Sequence, residues 1–168
     1  MSLLKRLFLV FGLLAVAGLQ SGCGFQPVYG DRSNQQSASE LQHISVGLLE
    51  DRVGHHLRDE LHRLLNSDGQ AVRYHLAINL ANRSTVTAVD RDSSDRRSNL
   101  RLVAAINLTE PGAEAPLYQT TVISDAGIDQ LPSDFATLVA EDAAERRAVE
   151  RLARDIRQRL ALYFARRP

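Results

Sequence analysis

Residues 72–81 read VRYHLAINLA, and every second residue from Val72 to Leu80 is apolar. Successive side chains of a β-strand point to opposite faces, so this alternation predicts a strand with one buried face. It is the most regular alternation in the chain. The neighbouring elements are therefore placed outward from it.

The segment before this strand predicts a short strand and then a helix. Apolar residues at 44, 46 and 48 alternate with polar or small ones, which indicates a first strand. Asp51 is expected to cap the helix N-terminus, and the run 66–69, NSDG, to end the helix. The apolar stripe of that helix consists of Val53, Leu57, Leu61, Leu64 and Leu65.

Two more strands are predicted after the reference strand. Residues 100–108 repeat its alternation, and residues 117–124 are rich in threonine and valine. The polar run 90–99, DRDSSDRRSN, lies between the second and third strands. It is expected to turn the chain within a long hairpin.

Pro132 and Ser133 mark the start of a last helix, in which helical spacing persists for about thirty residues. Its apolar positions are Phe135, Leu138, Val139, Val149, Leu152, Ile156, Leu160, Tyr163 and Phe164. Favourable acid-before-base pairs stand four residues apart: Asp142 with Arg146, Glu150 with Arg154, and Asp155 with Arg159. Three arginines are expected to project away from the stripe: Arg147, Arg151 and Arg154.

These elements predict an α+β fold with the order β-α-β-β-β-α. Two helices on one face of a four-stranded, mostly antiparallel sheet would bury both helical stripes and the even face of the strands in a two-layer sandwich. The odd face is mixed, with polar residues such as His75, Asn79 and Arg101. It is open to solvent, a partner or a ligand.

The start of the chain predicts export and lipid attachment. Residues 1–22 have the basic, apolar and small-residue parts of a signal peptide, and their apolar run falls short of the about twenty residues that span a membrane. Residues 19–23, LQSGC, resemble a bacterial lipoprotein signal, with Gln20 where leucine is usual. Cys23 is the only cysteine, and we expect lipid on its thiol. The alternative is an ordinary signal peptide cut nearby and a free thiol.

Residues 23–40 are expected to form the lipidated cysteine and a mostly extended tether, because serine, glutamine, glycine and asparagine dominate them. Residues 41–168 then form a single α+β domain. The aromatic start of the tether, residues 24–30, is apolar enough to dock on that domain or on a partner.

The charge balance excludes one class of partner. The chain has 20 basic and 20 acidic residues, and loss of Lys5 and Arg6 with the signal would leave a small negative net charge. Such a balance gives no support to nucleic-acid binding. Every remaining basic residue is arginine, so any anion would meet planar guanidinium groups that match phosphate geometry.

The sequence offers no enzyme signature and no cofactor site beyond the lipid on Cys23. The five histidines lack the spacing of a zinc site, and surface positions are expected for them: His43, His55, His56, His62 and His75. No nucleophile motif or glycine-rich phosphate loop is present in the sequence. We therefore expect neither catalysis nor a bound metal.

Four stretches carry a family resemblance: residues 23–30, CGFQPVYG; 44–46, ISV; 50–58, EDRVGHHLR; and 133–143, SDFATLVAEDA. Together they resemble the alphaproteobacterial form of the LPS-assembly lipoprotein family, LptE. The resemblance implies the same two-helix sandwich, anchored by lipid at the periplasmic face of the outer membrane. It also implies a plug inside the β-barrel protein LptD that helps deliver lipopolysaccharide to the cell surface.

A lipopolysaccharide site is predicted at the hairpin, where four arginines cluster: Arg91, Arg96, Arg97 and Arg101. The alternative is a solvated turn in which these arginines pair with the interleaved acids Asp90, Asp92 and Asp95. The competing function is that of a non-enzymatic scaffold lipoprotein for outer-membrane barrel assembly or cell-envelope maintenance.

Overall fold

A computed structural model describes residues 32–67, 69–89, 96–113, 115–129 and 133–167. The predicted signal peptide, Cys23 and the first part of the tether lie outside these residues, so the predictions for them stay predictions. The described residues belong to one compact unit that begins at Arg32.

Seven elements make up this unit. They are α1 (Arg32–Leu41), β1 (Ile44–Val46), α2 (Arg52–Leu65), β2 (Tyr74–Val89), β3 (Arg96–Thr109), β4 (Tyr118–Asp129) and α3 (Asp134–Arg166). The predicted α+β class and the order from β1 onward are confirmed. Helix α1 is an addition to the predicted order.

The four strands form one sheet in the order β1-β2-β3-β4. Strand β1 runs parallel to β2, because α2 carries the chain back before β2 begins, and the other two pairings are antiparallel. The register places Leu76 opposite Leu108 and Ile78 opposite Ile106. The even residues of β2 and β3 therefore share one face, as the alternation predicts.

The core lies between this even face and the helices. The largest fully buried side chains come from every layer: Ile44, Leu57, Leu61, Leu65, Leu76, Leu102, Ile106, Leu108, Val122, Leu152, Ile156 and Leu160. Burial of one such side chain contributes about 1.5–3 kcal/mol relative to exposure. Helices α2 and α3 pack side by side, and α3 also packs on β3 and β4.

Helix α1 corrects the prediction of an extended tether up to residue 40. Ser37 and Leu41, four residues apart, are both buried, and α1 packs against α3. Glu40 accepts hydrogen bonds from Arg73 and from the Tyr74 hydroxyl, each at 2.9 Å. Burial raises the pKa of Tyr74, and this hydrogen bond raises it further. Tertiary contacts thus order a segment whose polar composition alone predicts an extended chain.

The hairpin of β2 and β3 is confirmed and is longer than the alternating pattern. Pairing continues to Val89 opposite Arg96, although Asn82 and Ser84 are polar and exposed on the even face. Backbone hydrogen bonds rather than burial hold this part of β2, so hydrophobic periodicity does not reveal it. Strand β4 likewise continues past residue 124 to Asp129.

Three other predicted boundaries or burials were wrong. Leu48 and Val72 are exposed, because β1 ends at Val46 and β2 begins at Tyr74. At the start of α3, the exposed side-chain fractions of Phe135, Leu138 and Val139 are 76%, 63% and 54%. The buried part of the α3 stripe begins only at Ala144.

The N-terminus of α2 depends on a close approach of the backbone. The predicted cap is confirmed, since the Asp51 carboxylate accepts a hydrogen bond from the Gly54 N–H at 2.5 Å. A Cβ atom on Gly54 would lie 2.6 Å from Leu49 Cβ and 2.7 Å from Asp51 Oδ1. At the other end, Asn66 ends the helix in the left-handed conformation, with φ of 53°. Only glycine fits position 54 without displacement of the cap.

We predict that Gly54→Ala lowers the free energy of unfolding by about 1–3 kcal/mol, because the added methyl overpacks the cap. The helix propensity of alanine, better than that of glycine by about 1 kcal/mol, acts in the opposite direction. Urea unfolding of the chain produced without residues 1–23 measures the change. Gly127→Ala is the matched control, since a Cβ there meets no atom within 4 Å. Equal effects of the two substitutions would contradict the close-approach argument.

Candidate functional site at the hairpin end

The predicted arginine cluster maps to one end of the sandwich, which we call the hairpin end: the last residues of β2, the first of β3, the last of β4 and the first turns of α2 and α3. Arg91 lies outside the described residues. Arg96 and Arg97 begin β3, opposite Val89 and Ala88 of β2. Arg97 also lies opposite Asp129 of β4. The backbone positions of 96, 97 and 101 therefore share one end of one strand.

Arg101 lies on the outer, odd face of the sheet and forms a two-pronged ion pair. Its Nε donates to Asp125 Oδ1 at 2.7 Å and one terminal nitrogen donates to Oδ2 at 3.4 Å. The hydrogen bond from Arg101 to Asp125 raises the pKa of the guanidinium. Arg83 stands directly opposite Arg101 on β2. A phosphate at this position would have to compete with Asp125, a partner that only the strand register reveals.

A groove of about 420 Å³ opens at the hairpin end between the even face of the sheet and the first turns of α3. Its apolar lining comes from Leu100, Ile128 and Leu138, and polar side chains of β2 stand beside them, Asn82 and Ser84. Phe135 and Val139 are exposed on the adjoining first turns of α3. This groove, together with the adjoining turns of α3, is therefore amphipathic.

An ion-pair network joins α2 to α3 at the side of this groove. Arg52 donates to Asp142 at 3.2 Å and to Glu145 at 2.7 Å. Glu145 is buried, and its Oε1 lies 3.7 Å from His56 Nδ1. This distance is too long for a hydrogen bond, and Oε1 accepts none from the described part of the chain. The groove thus carries more carboxylates than guanidiniums, since Glu141 also lines it. This acidic lining disfavours an anion in the groove.

The outer face of the sheet is not covered by any described helix. Across β2, β3 and β4, the register aligns one small apolar row, Ala81 with Val103 and Ile123. The row on one side of it consists of Asn79, Ala105 and Thr121. The row on the other side is fully polar and consists of Arg83, Arg101 and Asp125. Most of these side chains are exposed. The face is a mixed surface, with arginine and other polar side chains around one apolar row.

The arginines of α3 differ from one another in their contacts. Arg147 is exposed, whereas Arg151 donates to the backbone oxygen of Asp125 at 3.1 Å and so reaches across to β4. The pairs of Asp142 with Arg146 and of Glu150 with Arg154 form as predicted, at 2.8 and 3.7 Å. Arg159 instead donates to the Thr120 hydroxyl at 3.5 Å, and Arg157 to the Leu64 carbonyl at 3.1 Å.

The histidines whose side chains have partners contact different parts of the chain. His43 Nδ1 lies 2.8 Å from the carbonyl oxygen of Ala71, and His62 Nδ1 lies 3.3 Å from the Ser67 hydroxyl. In the described ranges, no three metal-ligating side chains converge on one point. None of the helices in those ranges is both long and apolar enough to cross a membrane.

The sequence predicts arginines at the hairpin end, but three features of that end leave little or no local signal in it. Asp125 is 24 residues from Arg101, and Glu145 is 93 from Arg52. Such distant pairs leave no local spacing signal. The exposure of Phe135 is the third feature. The polar run 90–99 is a weak signal of it, because it indicates that the core does not extend to this end of the sandwich.

Comparison with solved structures supports the fold. A protein from Caulobacter crescentus CB15, provisionally assigned as a lipoprotein, superposes with a TM-score of 0.67 at 20% identity and covers 80% of this chain and 99% of its own. A minor lipoprotein from Acinetobacter baumannii superposes with a TM-score of 0.55 at 14% identity and covers 71% and 88%. At these identities the likeness concerns the fold alone. No curated protein matches the sequence significantly.

A family comparison gives the assignment. The family described as LptE, lipopolysaccharide-assembly, matches residues 34–160, which is well over half of the chain. The match runs from α1 into the last turns of α3 and includes the hairpin end. The protein therefore belongs to the LptE family of lipopolysaccharide-assembly proteins.

Proposed function

We propose that this protein is an outer-membrane lipoprotein that assists export of lipopolysaccharide to the cell surface as the plug and partner of the β-barrel LptD. It acts without catalysis and binds lipopolysaccharide directly through the arginines of the hairpin end. The observation that carries the proposal is the family match over residues 34–160. The anchor, the barrel partner and the ligand are inferred from the residues as follows.

The outer sheet face supports a barrel partner. The strands of a membrane barrel alternate between lipid-facing and lumen-facing residues, so the lumen of a large barrel is polar and wet. A domain inside it needs a core of its own and a polar exterior. Here the fully buried residues of β2 and β3 face the helices, whereas the outer face carries Asn79, Arg83 and Thr121 beside the one apolar row. Polar side chains on that face can form hydrogen bonds with a polar lumen wall.

The start of β3 supports an anionic ligand. Arg96, Arg97 and Arg101 fall within six residues of one strand, and guanidinium groups bind phosphate with two parallel hydrogen bonds. Asp125 holds Arg101, but an exposed ion pair is weak enough for a phosphate to replace the carboxylate. An amphipathic groove opens at the same end of the sandwich, on the sheet face opposite Arg101, and its apolar lining suits the acyl groups of a glycolipid.

The anchor gives the first prediction. If Cys23 carries the lipid, Cys23→Ala accumulates as unprocessed precursor or appears in the soluble periplasmic fraction, because the folded domain has no lipid of its own. Globomycin treatment of the wild type gives the same precursor. Fractionation followed by immunoblotting measures both, with Cys23→Ser as a second variant. Normal maturation and membrane retention of the two variants would refute lipidation at this position.

The ligand gives the second prediction. Replacement of Arg91, Arg96 and Arg97 by alanine lowers lipopolysaccharide affinity about tenfold, since charge-assisted hydrogen bonds to phosphate are lost. The thermal midpoint stays nearly unchanged because arginine side chains contribute little to an apolar core. Asp125→Asn has the opposite effect and raises affinity, because it releases Arg101. Isothermal titration with purified lipopolysaccharide measures both.

The control for this experiment is the triple alanine variant of Arg146, Arg147 and Arg154. It removes the same charge from the helical face of α3 and should leave affinity near that of the wild type. Unaltered binding after loss of the hairpin arginines, or an equal loss in the control, would place the ligand elsewhere.

The partner gives the third prediction. Photo-reactive residues at Arg83 and Thr121 on the outer sheet face, and at Arg147 on α3, form adducts with LptD in living cells, because a plug meets the lumen wall on more than one side. Mass spectrometry identifies the adducts, and unirradiated cells serve as control. If the correctly localised protein gives no adduct with a β-barrel protein at any position, the scaffold function replaces the plug.

A further inference from the structure

The end of the sandwich opposite the hairpin gathers aromatic side chains. We call it the base end: the first residues of β2 and β4 and the last turns of α3. Tyr74, Tyr118 and Tyr163 are the tyrosines of the described residues, and all three lie here with Phe164. The rings of Tyr118 and Tyr163 stack at 5.0 Å, and Phe164 contacts both Tyr74 and Tyr163.

A groove of about 490 Å³ lies against these rings. Its lining consists of Tyr118, Arg159, Leu162, Tyr163, Arg166 and Arg167, so it contains three guanidinium groups and no carboxylate. One acid stands near, Glu110, which Arg167 contacts at 3.3 Å. Within the described residues, Arg159 donates to the Thr120 hydroxyl at 3.5 Å and forms no ion pair. The groove therefore keeps an excess of positive charge.

The C-terminus of α3 does not cancel that excess. The last carbonyls of a helix act as about half a negative charge, and basic residues near them are partly neutralised. Among the described residues, this half charge and Glu110 leave more than one of the three arginines uncompensated. Such a set of donors attracts an anion, and its planar nitrogens favour one with two or more oxygens.

The other side of the groove is apolar. Leu162 is 45% exposed, and the stacked rings of Tyr118 and Tyr163, both half-buried, line the groove with it as an apolar wall. An inorganic ion would use only the guanidiniums, whereas a phosphate ester would also place its carbon atoms on this wall. Tyrosine and arginine are also the residue types found at the headgroup level of membranes, where a ring meets apolar atoms and a polar tip meets water.

We propose that the base groove binds the phosphate of a glycerophospholipid headgroup, with Arg159 and Arg166 as the principal donors and Leu162 against the glycerol. This site is separate from the hairpin end and does not depend on the barrel partner or on lipopolysaccharide. The same chemistry would accept a soluble glycerol phosphate, so the test includes both sources.

The test uses the chain from residue 23 with Cys23→Ser, so that its own lipid cannot hold it on a membrane. Co-sedimentation compares vesicles of phosphatidylcholine alone with vesicles that contain phosphatidylglycerol, with and without soluble glycerol 3-phosphate as competitor. We expect binding to the anionic vesicles. The double variant of Arg159→Ala and Arg166→Ala should weaken it about tenfold.

Two further variants separate a built site from general charge attraction. The double variant of Arg147→Ala and Arg154→Ala removes equal charge from the same helix and should keep wild-type binding. The double lysine variant at 159 and 166 keeps the charge but loses the fork, and should bind more weakly than wild type.

If millimolar glycerol 3-phosphate displaces the protein from the vesicles, the groove also binds a soluble phosphate ester. If it does not, the lipid in the bilayer is the ligand. The proposal is overturned if the wild type does not bind anionic vesicles. It is also overturned if the Arg159 and Arg166 variant binds like wild type, or if the Arg147 and Arg154 control loses as much. Because the hairpin arginines are intact in every variant, failure here leaves the proposed function untouched.

Discussion

The contact between the even face of the sheet and the apolar stripes of α2 and α3 is the constraint on which the structure depends. Leu102 and Ile106 from the sheet and Leu152 and Ile156 from α3 are fully buried there. Because strand residues alternate in direction, this one contact also fixes the opposite set of side chains on the outside. A slip of one residue in β2 or β3 would exchange the two sets, so the core determines the chemistry of the outer face.

This dependence explains what the sequence predicts well. Periodicity identifies Leu76 and Leu108 as core and Asn79 and Arg101 as surface. It also predicts the fold class, the order of helices and strands along the chain from β1, and the long last helix. It fails where burial does not hold an element. The end of β2, with Asn82 and Ser84, is held by ladder hydrogen bonds, and α1 is held by contacts of Leu41 and Glu40 with distant residues.

The candidate site is predictable to the same limited extent. The run of arginines in the sequence identifies the hairpin end, because residues that are close together along one strand stay close together in the fold. Their partners are not predictable, since Asp125 is set by register and the link of Arg52 to Glu145 by packing of two helices. The same holds for the base groove, where Tyr118 comes from β4 and Arg166 from α3. The family match covers both ends of the sandwich in large part. The two ends differ in charge, since the groove at the hairpin end is lined by both arginine and carboxylates, whereas the base groove is lined by arginines without a carboxylate.

The reach of Arg151 and Arg159 across to β4 has a consequence for assembly. Strand β4 is at the edge of the sheet, and an open edge is a template for another strand. The Arg151 guanidinium already occupies the carbonyl of Asp125, and Arg159 lies farther along at Thr120. The opposite edge is β1, which is only three residues long. A foreign strand that paired with β4 at Asp125 would have to displace Arg151 from that carbonyl, and one that paired with β1 would find only three residues. Both features disfavour strand addition at the edges of this sheet.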